Sequence, residues 1–345
     1  MHMYRWLHIS DLHFKISGDP DQENMVTAIL NACKSGKIRA DFVVATGDFH
    51  NYPDGDNFEI SKKFLKELME ALGLDISRDL FIVPGNHDSI LSEEKAIFIE
   101  NIKRYATSDA DFDYGAYIAS NPAKVQMLLS SFVGYRHMAS DLIETYDANY
   151  SDPQTPEAVH VRTWNNKVNI LHLNTAIISD GMRDHDEGTD IAIACSAIIR
   201  GKLDNGLPTL VLGHHSFSDL HPSIQNRLIQ LFNQTNVWAY LAGDRHRLNF
   251  HGEDYLIDRK IGVAAWPNIV AGEMTASVKE FYSQFSIIRY CWDIDKNTVT
   301  PEHLVWERNS SGTGLTMLDW ESLRPFPIYA EISSKLYFDL MEILA

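Results

Sequence analysis

Five short stretches rich in Asp, His and Asn each follow an apolar run, and this arrangement constrains the fold more than any other feature of the chain. The apolar runs are YRWLHIS, FVVAT, LFIVP, TLVL and VWAYLA, and the polar stretches are DLH (11–13), GD (47–48), GNHD (85–88), GHH (213–215) and GDRH (243–246). Short apolar runs with such boundaries are typical of buried strands. Carboxylate, imidazole and amide groups are ligands for divalent cations. The sequence therefore predicts strand ends that converge on a metal site.

Helical patterns separate these strands in the first part of the chain. Apolar residues recur at helical spacing over 21–35, 58–72 and 93–105, and glycines end the first two segments. Strands that alternate with helices predict an α/β protein with its site at the carboxyl ends of parallel strands. Further along, VHVRTW and VNILHLNT predict a hairpin, and 191–203 and 223–232 predict helices. GVAAW, SIIRYCWDID and TVTPEHLVW predict antiparallel strands of a second sheet.

The order and spacing of the five motifs resemble the calcineurin-like metallophosphoesterase superfamily, whose pattern is D-x-H, G-D, G-N-H-D/E, H and G-H-x-H. The resemblance runs from Asp11 to His246. It implies a two-sheet β-sandwich flanked by helices, here with a helical insertion. The chain departs from the pattern at Asp244, which stands where the superfamily has the first His of its last motif. Asp shifts the metal preference toward harder ions such as Mn²⁺ or Mg²⁺.

The resemblance also implies a role for each motif residue. Two divalent metal ions share Asp48; Asp11, His13 and His246 complete the first site, and Asn86, His214 and Asp244 the second. Mn²⁺ is the expected ion, and Mg²⁺, Fe, Zn²⁺ and Ni²⁺ are alternatives. His87 protonates the leaving group or hydrogen-bonds the phosphate, and Asp88 either orients the His87 imidazole or caps the next helix. His215 and Arg245 are predicted to contact the substrate.

The predicted activity is hydrolysis of a phosphoester, specifically a phosphodiester such as a nucleotide or cyclic nucleotide, by hydroxide that the two metals activate. A DNA or RNA nuclease of the same superfamily is one alternative, and a non-enzymatic scaffold with the same fold is another. The chain has 47 acidic and 30 basic residues and a net charge of −17. Nucleic-acid binding depends on basic residues that neutralise phosphates. The charge therefore disfavours the nuclease.

Residues 1–310 are predicted to form one catalytic domain, with an insertion over 105–157 that contains a helix at 122–138. This insertion either caps the metal site or packs outward. Residues 311–345 are predicted to be a C-terminal extension, whose amphipathic helix SKLYFDLMEIL docks on the domain or leads to a further domain or partner. The sequence has no apolar run long enough to span a membrane. Its three cysteines are isolated, which predicts a reduced, cytoplasmic setting.

Overall fold

The computed structural model describes residues 3–15, 20–50, 58–90, 92–108, 117, 120–144, 159–179, 203, 205–220, 222–244, 268–270, 284–296, 298–308, 315–317, 319, 321–322 and 326–327. The strands are β1 (Met3–Ile9), β2 (Phe42–Thr46), β3 (Leu80–Val83), β4 (Val159–Trp164), β5 (Val168–Leu173), β6 (Thr209–Leu212), β7 (Val237–Ala242), β8 (Asn268–Val270), β9 (Gln284–Asp293), β10 (Thr298–Arg308), β11 (Leu315–Met317), β12 (Glu321–Ser322) and β13 (Phe326–Pro327). The helices are α1 (Pro20–Lys34), α2 (Glu59–Leu72), α3 (Ile76–Asp79), α4 (Glu93–Ser108), α5 (Pro122–Ser130), α6 (Val133–Leu142) and α7 (Pro222–Asn233).

These strands form two mixed sheets. The first has the order β11-β10-β9-β1-β2-β3, and β12 and β13 also pair with β10. The second has the order β4-β5-β6-β7-β8. Strands β1 to β3 are parallel to one another, as are β5 to β8. The expected α/β fold with two sheets is confirmed, and each predicted motif follows the carboxyl end of a parallel strand.

Alternate residues of the central strands face the space between the sheets. The side chains buried there include Trp6, Phe42, Phe81, Ile170, Leu210 and Leu241. The intervening residues, such as Leu7, Val43 and Val211, belong to a second apolar cluster that also contains residues of the helices. Strands β2, β3 and β6 are therefore buried on both faces. This explains why their sequences are continuous apolar runs instead of alternating patterns.

The predicted hairpin and its turn are present between β4 and β5. The two strands pair antiparallel, with Val159 opposite Leu173. Asn165 and Asn166 have φ of 46° and 53° between them. Two consecutive residues with positive φ are typical of the type I′ turn, whose twist matches that of the paired strands. Asn adopts this conformation readily.

The predicted helix over 122–138 is interrupted in the structure. The backbone N–H of Ser131 bonds to the carbonyl of Leu128, three residues back, and its own carbonyl accepts from Ile90 N at 2.8 Å. Because Ser131 N bonds three residues back and Ser131 O accepts from outside the helix, the regular helical hydrogen bonds stop here. Helix α5 ends at Ser130, and α6 begins at Val133. Buried residues of both helices belong to the same apolar cluster as α2, and the Tyr135 ring lies 5.8 Å from that of Phe49. The described helices of the predicted insertion thus pack inward, beside the loop that contains Asp48.

Several predicted elements lie outside the described residues. They are the helix over 191–203, the strand GVAAW, the C-terminal amphipathic helix and much of 105–157. Strands β11 to β13 attach three short pieces of the predicted C-terminal extension to β10. The division at residue 310 remains a prediction. Among the described residues, no helix combines the length and apolar character that a membrane span requires.

Candidate metal centre

The loops after β1 and β2 continue the pairing of their strands beyond the regular sheet. Asp11 N donates to Gly47 O at 3.1 Å, and His13 N donates to Asp48 O at 2.9 Å. Asp11, His13 and Asp48 have φ of 55°, 43° and 56°. This left-handed conformation is uncommon in residues other than glycine, although Asp and His adopt it more often than most. The backbone of these two loops therefore places three buried candidate ligand residues next to one another.

The loop after β3 fits closely against Asp48. His87 N donates to Asp48 Oδ1 at 2.9 Å. A Cβ atom on Gly85 would lie 2.1 Å from the same Asp48 oxygen, so the position has room for glycine alone. Asn86 follows and begins a 3₁₀ turn over Asn86–Asp88. Glycine in this motif thus allows the Asn86 loop to approach the Asp48 carboxylate.

Asp88 ties the loops after β2 and β3 together. Its carboxylate accepts backbone hydrogen bonds from Phe49 at 2.9 Å, His50 at 3.2 Å and Gly85 at 2.8 Å. Burial raises the pKa of Asp88 to about 7, and its hydrogen bond from Gly85 N opposes that rise. These contacts show that Asp88 fixes loop backbone, and its predicted roles toward His87 and the next helix stay predictions.

Side chains hold the loop after β6, where His214 and His215 lie. Thr175 Oγ1 accepts from His214 N at 3.0 Å and from His215 N at 3.1 Å, and it is 3.1 Å from His215 Nδ1. A hydroxyl group has two acceptor positions and one proton. Since the two backbone N–H groups occupy both acceptor positions, the Thr175 proton is donated to His215 Nδ1, and neutral His215 keeps its own proton on Nε2. Tyr240 adds a hydrogen bond to His215 O at 3.1 Å.

His214 faces a group of acceptor atoms. Its Nδ1 is 2.7 Å from Thr46 O, and because a carbonyl only accepts, Nδ1 carries the proton. Nε2 lies 2.8 Å from Asn86 Oδ1, 3.5 Å from Asp48 Oδ1 and 3.7 Å from Asp244 Oδ1. A second proton on the ring would turn these contacts into hydrogen bonds, whereas a neutral ring would share a bound cation with the same oxygens. A carbonyl partner on the other ring nitrogen is also the usual arrangement for a metal-binding His.

Asp244 brings the second sheet into contact with the first. Its backbone N–H donates to Asp11 Oδ1 at 3.0 Å, and its φ is 66°. Its carboxylate is buried and faces His214. The residue that departs from the superfamily pattern therefore lies inside the site, at the distance from His214 that a shared metal ion would need.

The electrostatics of these residues favour a bound cation. Burial raises the pKa of Asp48 well above its usual range, and the nearby charges of Asp88, Asp11 and Asp244 raise it further. Three groups have side-chain nitrogen or oxygen atoms within 4.8 Å of one another: His13, Asp48 and His87; Asp11, Asp48 and His214; and His214, His215 and Asp244. In the last group the protonated Nε2 of His215 leaves His214 and Asp244 as candidate ligands. Asp48 and His214 each belong to two groups, and of these two only the Asp48 carboxylate has two oxygens with which to bridge ions. The described residues therefore fit divalent metal ions.

Most of the predicted site residues meet in this region. The structure brings together Asp11, His13, Asp48, Asn86, His87, Asp88, His214, His215 and Asp244. Arg245 and His246 lie outside the described residues. The sequence analysis missed the supporting contacts of Thr46, Thr175 and Tyr240. Thr175 carried a usable signal, because Asn174 and Thr175 are polar residues that directly follow the apolar strand β5.

Two mixed sheets flanked by helices, with candidate metal ligands at the strand ends, are the architecture expected of a metallophosphoesterase. The family model described as calcineurin-like phosphoesterase matches residues 4–248. The chain therefore belongs to the calcineurin-like phosphoesterase family.

Solved structures that resemble the chain have low sequence identity. One is Vps29 of Chaetomium thermophilum, with 12% identity, a TM-score of 0.38, and coverage of 94% of this chain and 100% of that one. Another is the NAD nucleotidase NadN of Haemophilus influenzae, with 15% identity, a TM-score of 0.37, and coverage of 99% and 56%. A Mycoplasma pneumoniae phosphatase has 13% identity, a TM-score of 0.34, and coverage of 99% of both chains. Comparison with curated proteins finds no match.

Proposed function

We propose that this protein hydrolyses a phosphodiester, such as a nucleotide or cyclic nucleotide, with two divalent metal ions bound at the strand ends. Family membership supports metal-dependent phosphoester hydrolysis in general. The observation that carries the proposal is the approach of His214 Nε2 and Asn86 Oδ1 to 2.8 Å, beside the buried carboxylate of Asp48. An imidazole nitrogen and an amide oxygen next to a carboxylate are donor atoms that a divalent cation accepts.

The proposed ligand sets share Asp48. One ion is assigned to Asp11, His13, Asp48 and His246, and the other to Asp48, Asn86, His214 and Asp244. Three carboxylates and one amide favour a hard ion, and Mn²⁺ is therefore our first choice over Zn²⁺. When bound, two such ions activate a water molecule and neutralise charge on the phosphoryl oxygens.

His87 and His215 are proposed to act on the substrate directly. The His87 side chain is partly exposed, and its ring centre lies 4.7 Å from that of His13. The bond from His87 N to Asp48 fixes the backbone of His87 beside the proposed metal site. From this position a protonated imidazole is proposed to donate its proton to a leaving alkoxide. His215 keeps its proton on Nε2, which suits it to donate a hydrogen bond to a phosphoryl oxygen. Arg245 is retained as a further substrate contact.

The charge of the proposed site favours a diester over a monoester. Two divalent ions and the carboxylates of Asp11, Asp48 and Asp244 leave about one unit of positive charge before water is activated. A phosphodiester has one negative charge, whereas a phosphomonoester has about −1.5 to −2 at pH 7. In the contacts described above, the carboxylates pair with imidazoles and backbone N–H groups. The singly charged substrate therefore needs less additional neutralisation.

Reconstitution of metal-stripped protein tests the proposal. Mn²⁺, Mg²⁺, Zn²⁺, Ni²⁺ and Fe²⁺ would be compared on a model diester, a model monoester, cyclic nucleotides, and single- and double-stranded DNA. We expect two bound ions, highest activity with Mn²⁺, and a preference for the diester or the cyclic nucleotides. Faster cleavage of DNA would identify the nuclease alternative. Two bound ions without turnover of any substrate would reject the enzyme and favour the scaffold.

The cytoplasmic location and the additional partner are proposals as well. Cys33 and Cys291 are buried free thiols, in agreement with a reducing compartment. The segment proposed to engage a partner, SKLYFDLMEIL, lies outside the described residues.

A further inference from the structure

Lys95, on α4, is a buried lysine that none of the predicted site motifs includes. It is only 1% exposed. Burying a charged group is costly unless hydrogen bonds replace its contacts with water. Its Nζ donates to Ser89 Oγ at 2.9 Å and to Ser131 Oγ at 3.0 Å, and it lies 5.1 Å from the centre of the Phe132 ring. The ammonium group therefore joins α4, the segment after Asp88 and the turn between α5 and α6.

One of these contacts leads directly to a proposed metal ligand. Ser89 accepts from Lys95 and donates its own hydroxyl proton to Asn86 O at 3.3 Å. The side chain of Asn86 faces His214 Nε2 at 2.8 Å. Lys95 thus reaches the backbone of Asn86 through a single hydroxyl group.

The other contact leads to the predicted insertion. Ser131 Oγ accepts from Lys95 and donates to Leu128 O at 2.6 Å. The Ser131 carbonyl accepts from Ile90 N at 2.8 Å. The side chain of Ser131 therefore bonds to Lys95, and its carbonyl bonds to Ile90, the neighbour of Ser89. The turn between α5 and α6 thus reaches Ser89 through Lys95.

We propose that Lys95 is a positioning residue that couples the α5–α6 turn to the Asn86–His87 turn. Its ammonium group orients the Ser89 hydroxyl, and this hydroxyl holds the carbonyl of Asn86, so that the Asn86 amide faces the metal centre. The inference rests on the metal-dependent hydrolysis proposed above. It gives the helices of the insertion an influence on metal binding through a defined hydrogen-bond path.

Lys95→Met in the full chain tests this role, because Met retains an unbranched side chain and removes every N–H donor. Loss of such an outer contact typically lowers metal affinity or activity by about 10- to 100-fold. We expect a loss of this size in Mn²⁺ affinity, measured by titration calorimetry of metal-stripped protein. At saturating Mn²⁺ we expect a lower kcat and a nearly unchanged KM for the model diester. Lys124→Met is the matched control and should match the wild type, since Lys124 is an exposed residue of α5 whose ammonium lies 5.0 Å from the ring centre of Phe98 on α4.

Ser89→Ala separates coupling from simple stabilisation. It removes the link to Asn86 and leaves the contact between Lys95 and Ser131, so Mn²⁺ affinity should again fall, by about 10-fold. Unchanged Mn²⁺ affinity and kcat in Ser89→Ala would overturn the inference, whatever happens to the thermal stability of either variant. This result would also decide the matter if Lys95→Met failed to fold. A wild type that binds Mn²⁺ but hydrolyses none of the phosphoesters would instead reject the proposed function, and the calorimetric comparison would still test the coupling.

Discussion

The two halves of the candidate metal centre differ in the side chains that support their loops. In both halves backbone hydrogen bonds join one loop to the next, as between Asp11 and Gly47 in the half from β1 to β3 and between Gly243 and His214 in the half from β6 and β7. The first half adds the Asp88 carboxylate, which accepts three backbone N–H groups, and the second half adds the hydroxyl groups of Thr175 and Tyr240. A side-chain support is lost with one substitution, whereas backbone hydrogen bonds survive most of them. Loss of a hydroxyl group in the second half should therefore disturb His214 and His215.

The halves also differ in how they depend on each other. His214 Nδ1 bonds to Thr46 O of the first half, and Asp244 N bonds to Asp11. Both residues of the second half thus use partners in the first. Substitutions of ligands in the first half should consequently affect the whole centre, and substitutions in the second half should have graded effects.

Asp48→Asn should have the largest effect. We expect the loss of both ions and no turnover above background, because Asp48 is the ligand that the two proposed metal sites share. Metal analysis and the diester assay would check this outcome. Asp141→Asn, which changes an exposed carboxylate paired with Lys62, is the matched control and should behave like the wild type. Two fully occupied ions with a near-normal rate in Asp48→Asn would show that Asp48 does not bridge them.

His87→Ala should retain both ions and lower kcat by about 10²- to 10⁴-fold, the usual contribution of a general acid. The loss should be smaller for substrates with activated leaving groups, because these need little protonation. A series of diesters with leaving groups of different pKa would measure the trend. His137→Ala, on the exposed face of α6, is the control. An equal loss across the series would contradict the leaving-group role.

Thr175→Val tests the hydroxyl support of the second half. The substitution removes the acceptor of two backbone N–H groups and the donor to His215. We expect metal affinity or kcat to fall by about 10- to 100-fold. Thr235→Val, which removes a hydroxyl bonded to Leu231 O after α7, should leave both quantities unchanged. Wild-type values in Thr175→Val would mean that the two halves do not differ as described.

Asp244→His should have the smallest effect on rate and should change metal preference instead. If Asp244 binds the second ion, a neutral imidazole in its place should favour Zn²⁺ or Ni²⁺ relative to Mn²⁺. Activity measured across the reconstituted metals would give the ranking. Asp141→His provides an exposed control. An unaltered ranking with both ions bound would place Asp244 outside the ligand set.

The features that local sequence determines were predictable. Strands β1, β2, β3, β6 and β7 are apolar runs with polar residues at their ends, and the periodicity of each run identifies the element. The hydrogen bonds of Thr175 and Asp88 were not predictable in this way, because each depends on which loops become neighbours after folding. Lys95 is a similar case. A lysine among the polar residues of a helix gives no local sign that it will be buried against two serines from other segments.

Four residues of the centre, Asp11, His13, Asp48 and Asp244, have left-handed backbone conformations. Such conformations cost of order 1–3 kcal/mol each, which is a large part of the 5–15 kcal/mol that stabilises a typical protein. Glycine at any of these positions would relax the backbone and delete a ligand at the same time. Backbone strain and the placement of candidate metal ligands are therefore coupled at these four positions.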